Sequence, residues 1–165
     1  SEIEKSILKN NIEIIINCAG QFASSNQSID NIEFDNFINI FKINSISILK
    51  ILQLISAHNK IEYLEKVINI SSDAGSLELN NQGNAYIYRT TKSALNSISK
   101  NLSIDLHEKF KTSVITVDPG NVKSNMNKKG YLSPEKCSEY IVDIISDSKD
   151  YNGSFINLLK KKIPW

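Results

Sequence analysis

Runs of strand-forming residues alternate with long helical segments along this chain, and this alternation constrains its fold more than any other feature. The strand-like runs, rich in Ile and Val, are residues 12–17, 66–72, 113–120 and 153–159. The segments with apolar residues at helical spacing are residues 33–58, 86–109 and 133–148. Alternation of strand and helix is typical of right-handed βαβ units around a parallel sheet. The sequence therefore predicts one α/β domain with a doubly wound parallel sheet.

The composition is ordinary for a soluble globular domain. The chain has 165 residues, 41% of them hydrophobic and 22% charged, and a net charge of +1. This charge gives no reason to expect a nucleic acid or an anionic membrane as partner. Cys18 and Cys137 form no metal-ligand spacing, and no apolar run approaches the length of a membrane span. We expect a cytoplasmic protein with free thiols, no metal site and no membrane partner.

The predicted strands end in polar, glycine-containing segments, which indicate a ligand site. These segments are residues 17–20, 71–75 and 118–124. In open parallel sheets, ligands bind beyond the carboxyl ends of the strands. Gly and Ser at these ends let the backbone approach a ligand closely. The sequence therefore favours a binding or catalytic site at this edge over a purely structural sheet.

A tyrosine and a lysine stand four positions apart in "YIYRTTKSALN", at Tyr88 and Lys92. On a helix this spacing places both side chains on one face. The chain has six tyrosines and 19 Lys and Arg residues, so one such pair is nearly expected by chance. The hydroxyl of Ser72, at the end of the second strand, should face the same crevice. The pair is informative only together with such neighbours.

Asn44 lies in the middle of the predicted helix 33–58, in "FKINSISIL". Asn and Ser are poor residues for helix continuity, so this cluster can open the backbone ladder and free a carbonyl. The alternative is that residues 44–47 simply face solvent.

Five motifs resemble, in order, those of the short-chain dehydrogenase/reductase family. They are "NCAG", "FKINSIS", "VINISSDAGS", "YRTTKSALN" and "VDPGNVKSNM". The Y-x-Y-R form and the ending "IPW" are further similar to the C-factor and sniffer-like carbonyl reductase subgroup. The resemblance implies a Rossmann-like domain that transfers a hydride between a nicotinamide cofactor and a small carbonyl or alcohol substrate. It also implies a homodimer formed through helices 33–58 and 86–109.

The resemblance implies four catalytic residues, namely Tyr88, Lys92, Ser72 and Asn44. Tyr88 would be the general acid/base, and the Lys92 ammonium would lower its pKa from about 10 and bind the nicotinamide ribose. Ser72 would donate to the substrate oxygen, and a backbone carbonyl freed at Asn44 would extend a proton relay through a water. Ser71 is an alternative to Ser72, and Tyr86 an alternative to Tyr88, but only Tyr88 has Lys at the fourth following position.

The resemblance also implies a cofactor site for NAD or NADP, with NADP favoured by the subgroup. In addition to Tyr88 and Lys92, it would use residues after the first and third strands. Those after the first strand, beside the adenine ribose, are Asn17, Ala19 and Gly20. Those after the third, around the nicotinamide, are Pro119, Gly120, Val122 and Ser124.

Two departures from the family pattern matter. Cys18 stands at a position where the family commonly has Asn, and a small thiol can take the place of that side chain. No G-x-x-x-G-x-G segment occurs, the chain begins at Ser1, and its one methionine is Met126. We therefore expect residues 1–165 to be the last two-thirds of a single domain, without the pyrophosphate-binding turn. This leaves a second hypothesis open, a non-catalytic truncated, regulatory or signalling member of the same fold.

Overall fold

Four parallel strands form one sheet in the order β1-β2-β3-β4 in the computed structural model, which describes residues 2–23 and 28–165. The strands are β1 Ile14–Asn17, β2 Lys66–Ile70, β3 Ser113–Asp118 and β4 Phe155–Asn157. Each strand pairs in parallel with its neighbour, with Ile68 opposite Ile16 on one side and Ile115 on the other. The predicted parallel α/β architecture is confirmed.

The described residues form five α-helices. They are α1 Glu2–Lys9, α2 Phe34–Phe41, α3 Ser47–Ala57, α4 Tyr86–Phe110 and α5 Pro134–Ser146. One apolar cluster packs β2 and β3 against α5 through Ile68, Ile115 and Ile144. A second cluster packs the opposite face against α3 and α4, and it includes Val67 and Leu95. Because the central strands are buried on both faces, their side chains are apolar without alternation.

The segment predicted as one helix at 33–58 is interrupted in its middle. A π-helical segment, Lys42–Ile46, separates α2 from α3. Asn44 and Ser45 in this segment are both 0% exposed. The alternative that this polar cluster faces solvent is therefore wrong for these two residues. A π-helical turn inside an α-helix often marks a functional position.

Several predicted boundaries shift where polar residues follow a strand. β2 ends at Ile70 and β3 at Asp118, each two residues earlier than predicted, and β4 has only three residues. Ser72 consequently lies beyond its strand, at the start of a 3-10 turn, Asp73–Gly75. The start of α5 follows the sequence signal, since the Ser133 hydroxyl accepts a hydrogen bond from the Lys136 N–H at 3.1 Å.

One helical run, Phe34–Ala57, is long and apolar enough to cross a membrane, which the sequence did not lead us to expect. Its polar middle packs inside the protein, where Asn44 and Ser45 hydrogen-bond the side chain and the carbonyl of Thr91 on α4. Core helices of soluble proteins share this length and composition, so the run is weak evidence for a membrane span.

Candidate functional site

A cavity of about 710 Å³ opens beyond the carboxyl ends of β2 and β3. This is the edge of the sheet where the sequence predicted a ligand site, and the volume is typical of a small-molecule site. Six of the predicted site residues line it together: Ser72, Tyr88, Pro119, Gly120, Val122 and Ser124. The other predicted residues lie behind or beside this cavity.

Tyr88 and Ser72 meet at one wall of the cavity. The phenol of Tyr88 and the hydroxyl of Ser72 both line the cavity, and the Ser72 hydroxyl donates a hydrogen bond of 3.1 Å to the Asp73 carboxylate. The Ser72 hydroxyl also accepts from the Ala74 N–H at 3.1 Å, which fixes it at the start of the 3-10 turn. The Phe22 ring packs on the Tyr88 ring with 4.9 Å between centroids. The first two turns of α4 and the end of β2 thus present two hydroxyl groups side by side.

The pKa of Tyr88 is raised, whereas the sequence led us to expect that Lys92 lowers it. Burial is the main cause because it disfavours the phenolate, and the carboxylates of Asp118 and Asp73 add to the effect. The Ser72 hydroxyl, in contrast, lowers the pKa of Tyr88. In this structure Tyr88 is therefore held as a neutral phenol, the form that can donate a proton.

The Lys92 ammonium lies 5.8 Å from the centroid of the Tyr88 ring, on the same face of α4. It donates a hydrogen bond of 2.9 Å to the Ile70 carbonyl, at the end of β2. Only 4% of this side chain is exposed, and burial lowers its pKa from 10.5 to about 8. Lys92 is thus an ammonium whose proton is held less tightly than that of a surface lysine.

Asn44 joins the segment after β1 to α4. Its side chain accepts from the Gln21 N–H at 2.8 Å and donates to the Gln21 carbonyl and to the Thr91 hydroxyl, both at 3.0 Å. The Thr91 hydroxyl in turn donates to the Tyr88 carbonyl. Asn44 therefore braces the backbone around Tyr88, and the proton relay through its own backbone carbonyl stays a prediction.

The three cofactor-binding residues predicted after β1 lie in three different environments. The Asn17 side chain is buried and donates to Asn69 on β2 at 3.1 Å, so its amide is used within the sheet. Ala19 is exposed. Gly20 lies beside Lys92, and a Cβ atom at Gly20 would stand 3.8 Å from the Lys92 Nζ.

The segment after β3 is clamped into a defined shape around the cavity. Gly120 has a φ of +67°, which turns the chain directly after Pro119. Val122 pairs with Leu132 in an isolated bridge. Gly130 packs so closely on this bridge that a Cβ atom there would lie 2.4 Å from the Val122 carbonyl carbon. The turn and the bridge therefore hold Val122 and Ser124 at the wall of the cavity.

The two alternatives raised by the sequence lie outside the cavity. Ser71 is 2% exposed and donates to Asn96 at 2.6 Å, so its hydroxyl is used in the interior. Tyr86 is 40% exposed and lines a separate, smaller pocket with Arg89.

Seven residues that line the cavity were not among the predicted site residues, namely Phe22, Asp73, Asp118, Asn121, Met126, Asn127 and Tyr131. Three of them, Asp73, Asp118 and Asn121, lie in the strand-end segments that the sequence indicated. Asp118 carried a signal, because a carboxylate at the end of a buried strand is uncommon without a partner. Phe22 and Tyr131 lie in irregular segments, where no periodicity indicates the direction of a side chain.

The cavity fits the nicotinamide end of a dinucleotide cofactor. Its walls combine the Ser72, Tyr88 and Ser124 hydroxyls with open space at Gly120. Across residues 2–23 and 28–165, no group of three or more His, Cys, Asp or Glu residues is placed to hold a metal ion.

A family model described as "short chain dehydrogenase" matches residues 1–133 of this chain. The C-signal of Myxococcus xanthus is 26% identical over 157 residues, which are 93% of this chain and 93% of that protein. The probable short-chain type dehydrogenase/reductase VdlC of Helicobacter pylori is 27% identical over 158 residues, 95% of this chain but 56% of that protein.

Solved structures with the same fold are longer than this chain. Carbonyl reductase Sniffer of D. melanogaster superposes with a TM-score of 0.84 at 23% identity, covering 99% of this chain and 73% of that one. The NADPH-bound carbonyl reductase from chicken fatty liver gives 0.79 at 22% identity, covering 99% and 72%. At these identities the likeness shows the fold.

Proposed function

Since the chain belongs to the short-chain dehydrogenase family of oxidoreductases, we propose that it carries the catalytic residues of an NAD(P)-dependent carbonyl reductase or alcohol dehydrogenase. In this proposal Tyr88 is the general acid/base, Ser72 orients the substrate oxygen, Lys92 supports the charge of the site and Asn44 braces it. The substrate is a small molecule with a carbonyl or alcohol group.

One observation carries the proposal. The Tyr88 phenol and the Ser72 hydroxyl line the same cavity, which has the volume of a small-molecule site, and the Lys92 ammonium lies beside the Tyr88 ring. Two neighbouring hydroxyl groups suit a carbonyl oxygen, because both can donate to it while the phenol transfers its proton.

The nicotinamide cofactor, when bound, supplies or accepts the hydride. In this proposal Lys92 would donate a hydrogen bond to a ribose hydroxyl of the cofactor, and Ser124 would donate to its carboxamide. Support for NADP comes from the solved relatives, since the chicken carbonyl reductase was crystallised with NADPH. This chain's residues account for the nicotinamide end alone, because the sequence holds no G-x-x-x-G-x-G turn for the pyrophosphate.

A non-catalytic signalling role is the second candidate, and one observation favours it. The relative whose length this chain matches at 93% bears the name C-signal, whereas this chain spans little more than half of VdlC.

Titration of the chain with NADH and NADPH, followed by nicotinamide fluorescence, separates the two candidates. The oxidoreductase proposal predicts a saturable change with one of the two cofactors, which weakens in Ser124→Val. The matched control, Ser138→Val on the exposed face of α5, should bind like the parent. Absence of saturable binding both in this chain and in the full-length protein that contains it would favour the signalling role.

A further inference from the structure

Residues 161–165 form a strap that runs antiparallel to β4 along its outer edge. The Asn157 N–H donates to the Lys161 carbonyl at 2.9 Å, and the Ile163 N–H donates to the Phe155 carbonyl at 2.8 Å. Edge strands are commonly covered in this way, because an open edge invites pairing with other chains. The backbone pairing of the strap with β4 extends as far as Ile163.

Trp165 lies beyond this pairing and makes contacts of another kind. Its ring stacks on the buried Phe155 ring, with 5.6 Å between centroids and 28° between planes. Its carbonyl accepts from the Leu77 N–H at 3.2 Å, the Glu78 N–H at 3.5 Å and the Ser76 hydroxyl at 3.4 Å. The Leu77 side chain is 75% exposed, so packing of that side chain does little to hold the segment. Residues 76–78 are therefore held through their contacts with Trp165.

The segment that Trp165 holds continues directly from the turn that carries Ser72. Ser76 is 1% exposed, and its N–H donates to the Asp73 carbonyl at 2.9 Å. The Gly75 N–H donates to the Ser72 carbonyl at 2.9 Å. Residues 72–76 thus form one hydrogen-bonded unit, with the Ser72 hydroxyl at the cavity and Trp165 at the other end.

We propose that Trp165 is a positioning residue for the candidate site. Its ring is anchored on Phe155, its carbonyl holds residues 76–78, and the turn before them keeps the Ser72 hydroxyl at the cavity wall. This role rests on the proposed function, in which Ser72 orients the substrate oxygen. Covering the edge of β4 does not account for Trp165, because the pairing that covers this edge is made by residues before it.

Amide exchange measured by NMR tests the contact without reference to turnover. In Trp165→Ala the Leu77 and Glu78 N–H groups should exchange about fivefold faster, as expected from the loss of one ordinary hydrogen bond. The Ile163 N–H should keep its rate, because the strap still pairs with β4. Trp165→Phe, which retains a ring for Phe155, should restore the parent rates.

The matched control is Lys162→Ala, an exposed position on the same strap, which should exchange like the parent. Parent rates at Leu77 and Glu78 in Trp165→Ala would overturn the proposal. An equal acceleration at Ile163 would overturn it as well, since the strap would then detach as a whole.

Fluorescence tests the same contact from the other side and decides if Trp165→Ala does not fold. Trp165 is the one tryptophan of the chain, so its emission reports on this contact alone. Ser76→Ala removes the hydroxyl that donates to the Trp165 carbonyl and should increase quenching of the emission by acrylamide. Ser138→Ala, on the exposed face of α5, should leave quenching unchanged. Quenching of Ser76→Ala at the parent level would overturn the proposal.

Turnover tests the positioning of Ser72, with benzaldehyde as the probe carbonyl. Trp165→Ala should lower kcat/KM by up to about 100-fold, because a displaced orienting group has an effect of this size, and Trp165→Phe should recover most of it. In a Ser72→Ala background Trp165→Ala should cause little further loss, because the group that it positions is already absent. An equal loss in both backgrounds would overturn the positioning role. Full turnover in Tyr88→Phe would end the proposed function, whereas exchange and quenching would still decide the Trp165 contact.

Discussion

At the scale of single residues, the candidate site is characterised by the protonation of Tyr88 and Lys92. The four-residue spacing brought Tyr88 and Lys92 onto one face of α4. The raised pKa of Tyr88 could not be predicted, because it arises from burial and from Asp118 and Asp73 across the cavity. Neither burial nor a contact between distant segments can be read from local spacing.

The buried ammonium of Lys92 should make stability depend on pH. Its pKa in the folded protein is about 8 instead of 10.5, so between these values the unfolded chain binds a proton that the folded chain has released. The free energy of unfolding should therefore rise with pH in this window, by on the order of 3 kcal/mol relative to Lys92→Met. Urea unfolding of both proteins from pH 7 to 11 measures the free energy of unfolding of each. If the two curves of this free energy against pH run parallel, the expected effect of Lys92 is contradicted.

Asn44 should contribute strongly to stability, since it is fully buried with three hydrogen bonds. Asn44→Ala leaves both backbone groups of Gln21 without this partner and should lower the free energy of unfolding by about 3 kcal/mol. Asn10→Ala removes one exposed side-chain hydrogen bond, to the Ser6 carbonyl, and should change it by less than about 0.5 kcal/mol. Equal values for the two variants in chemical denaturation would show that Asn44 is not a structural brace.

At the scale of elements, the long periodic segments were predictable and their ends were not. Ile- and Val-rich runs identified the four described strands, although Ile14 and Ile16 of the edge strand β1 are 41% and 44% exposed. The π-helical segment lies where Asn44 stands, and the Asn44 side chain bonds Gln21 and Thr91, outside that segment. The helix α1 was missed, and β2 and β3 each end two residues earlier than predicted.

The close contact between the 3-10 turn and α4 should fix Ser72 relative to Tyr88. A Cβ atom at Gly75 would lie 2.8 Å from the backbone carbon of Lys92. Gly75→Ala should therefore push the turn away from α4 and lower the free energy of unfolding by about 1–3 kcal/mol. Gly20→Ala is the matched control, because its Cβ would meet only ordinary contacts beyond 3.7 Å, at 3.8 and 3.9 Å. Equal thermal stability of the two variants would contradict this packing argument.

At the scale of the whole molecule, exposed apolar side chains are consistent with the homodimer implied by the family resemblance. Phe34 and Ile38 on α2 are 71% and 55% exposed, and Ile104 on α4 is 54% exposed. We propose that these helices pair with a second copy, as apolar patches of this kind often do.

This pairing predicts a change of mass in solution. Ile38→Glu should convert a dimer to a monomer in size-exclusion chromatography with light scattering, because the charge would be buried in the interface. Val142→Glu, on α5 and 58% exposed, should leave the mass unchanged. A monomeric parent protein would rule out the pairing.

The account as a whole depends on Tyr88 as the proton donor of a hydride-transfer site. Its most direct test is the turnover and the nicotinamide cofactor affinity of the Tyr88→Phe protein. We expect carbonyl reduction to fall by about 100-fold or more while cofactor affinity is kept, because only the transferable proton is removed. Full turnover in Tyr88→Phe would contradict the proposed function.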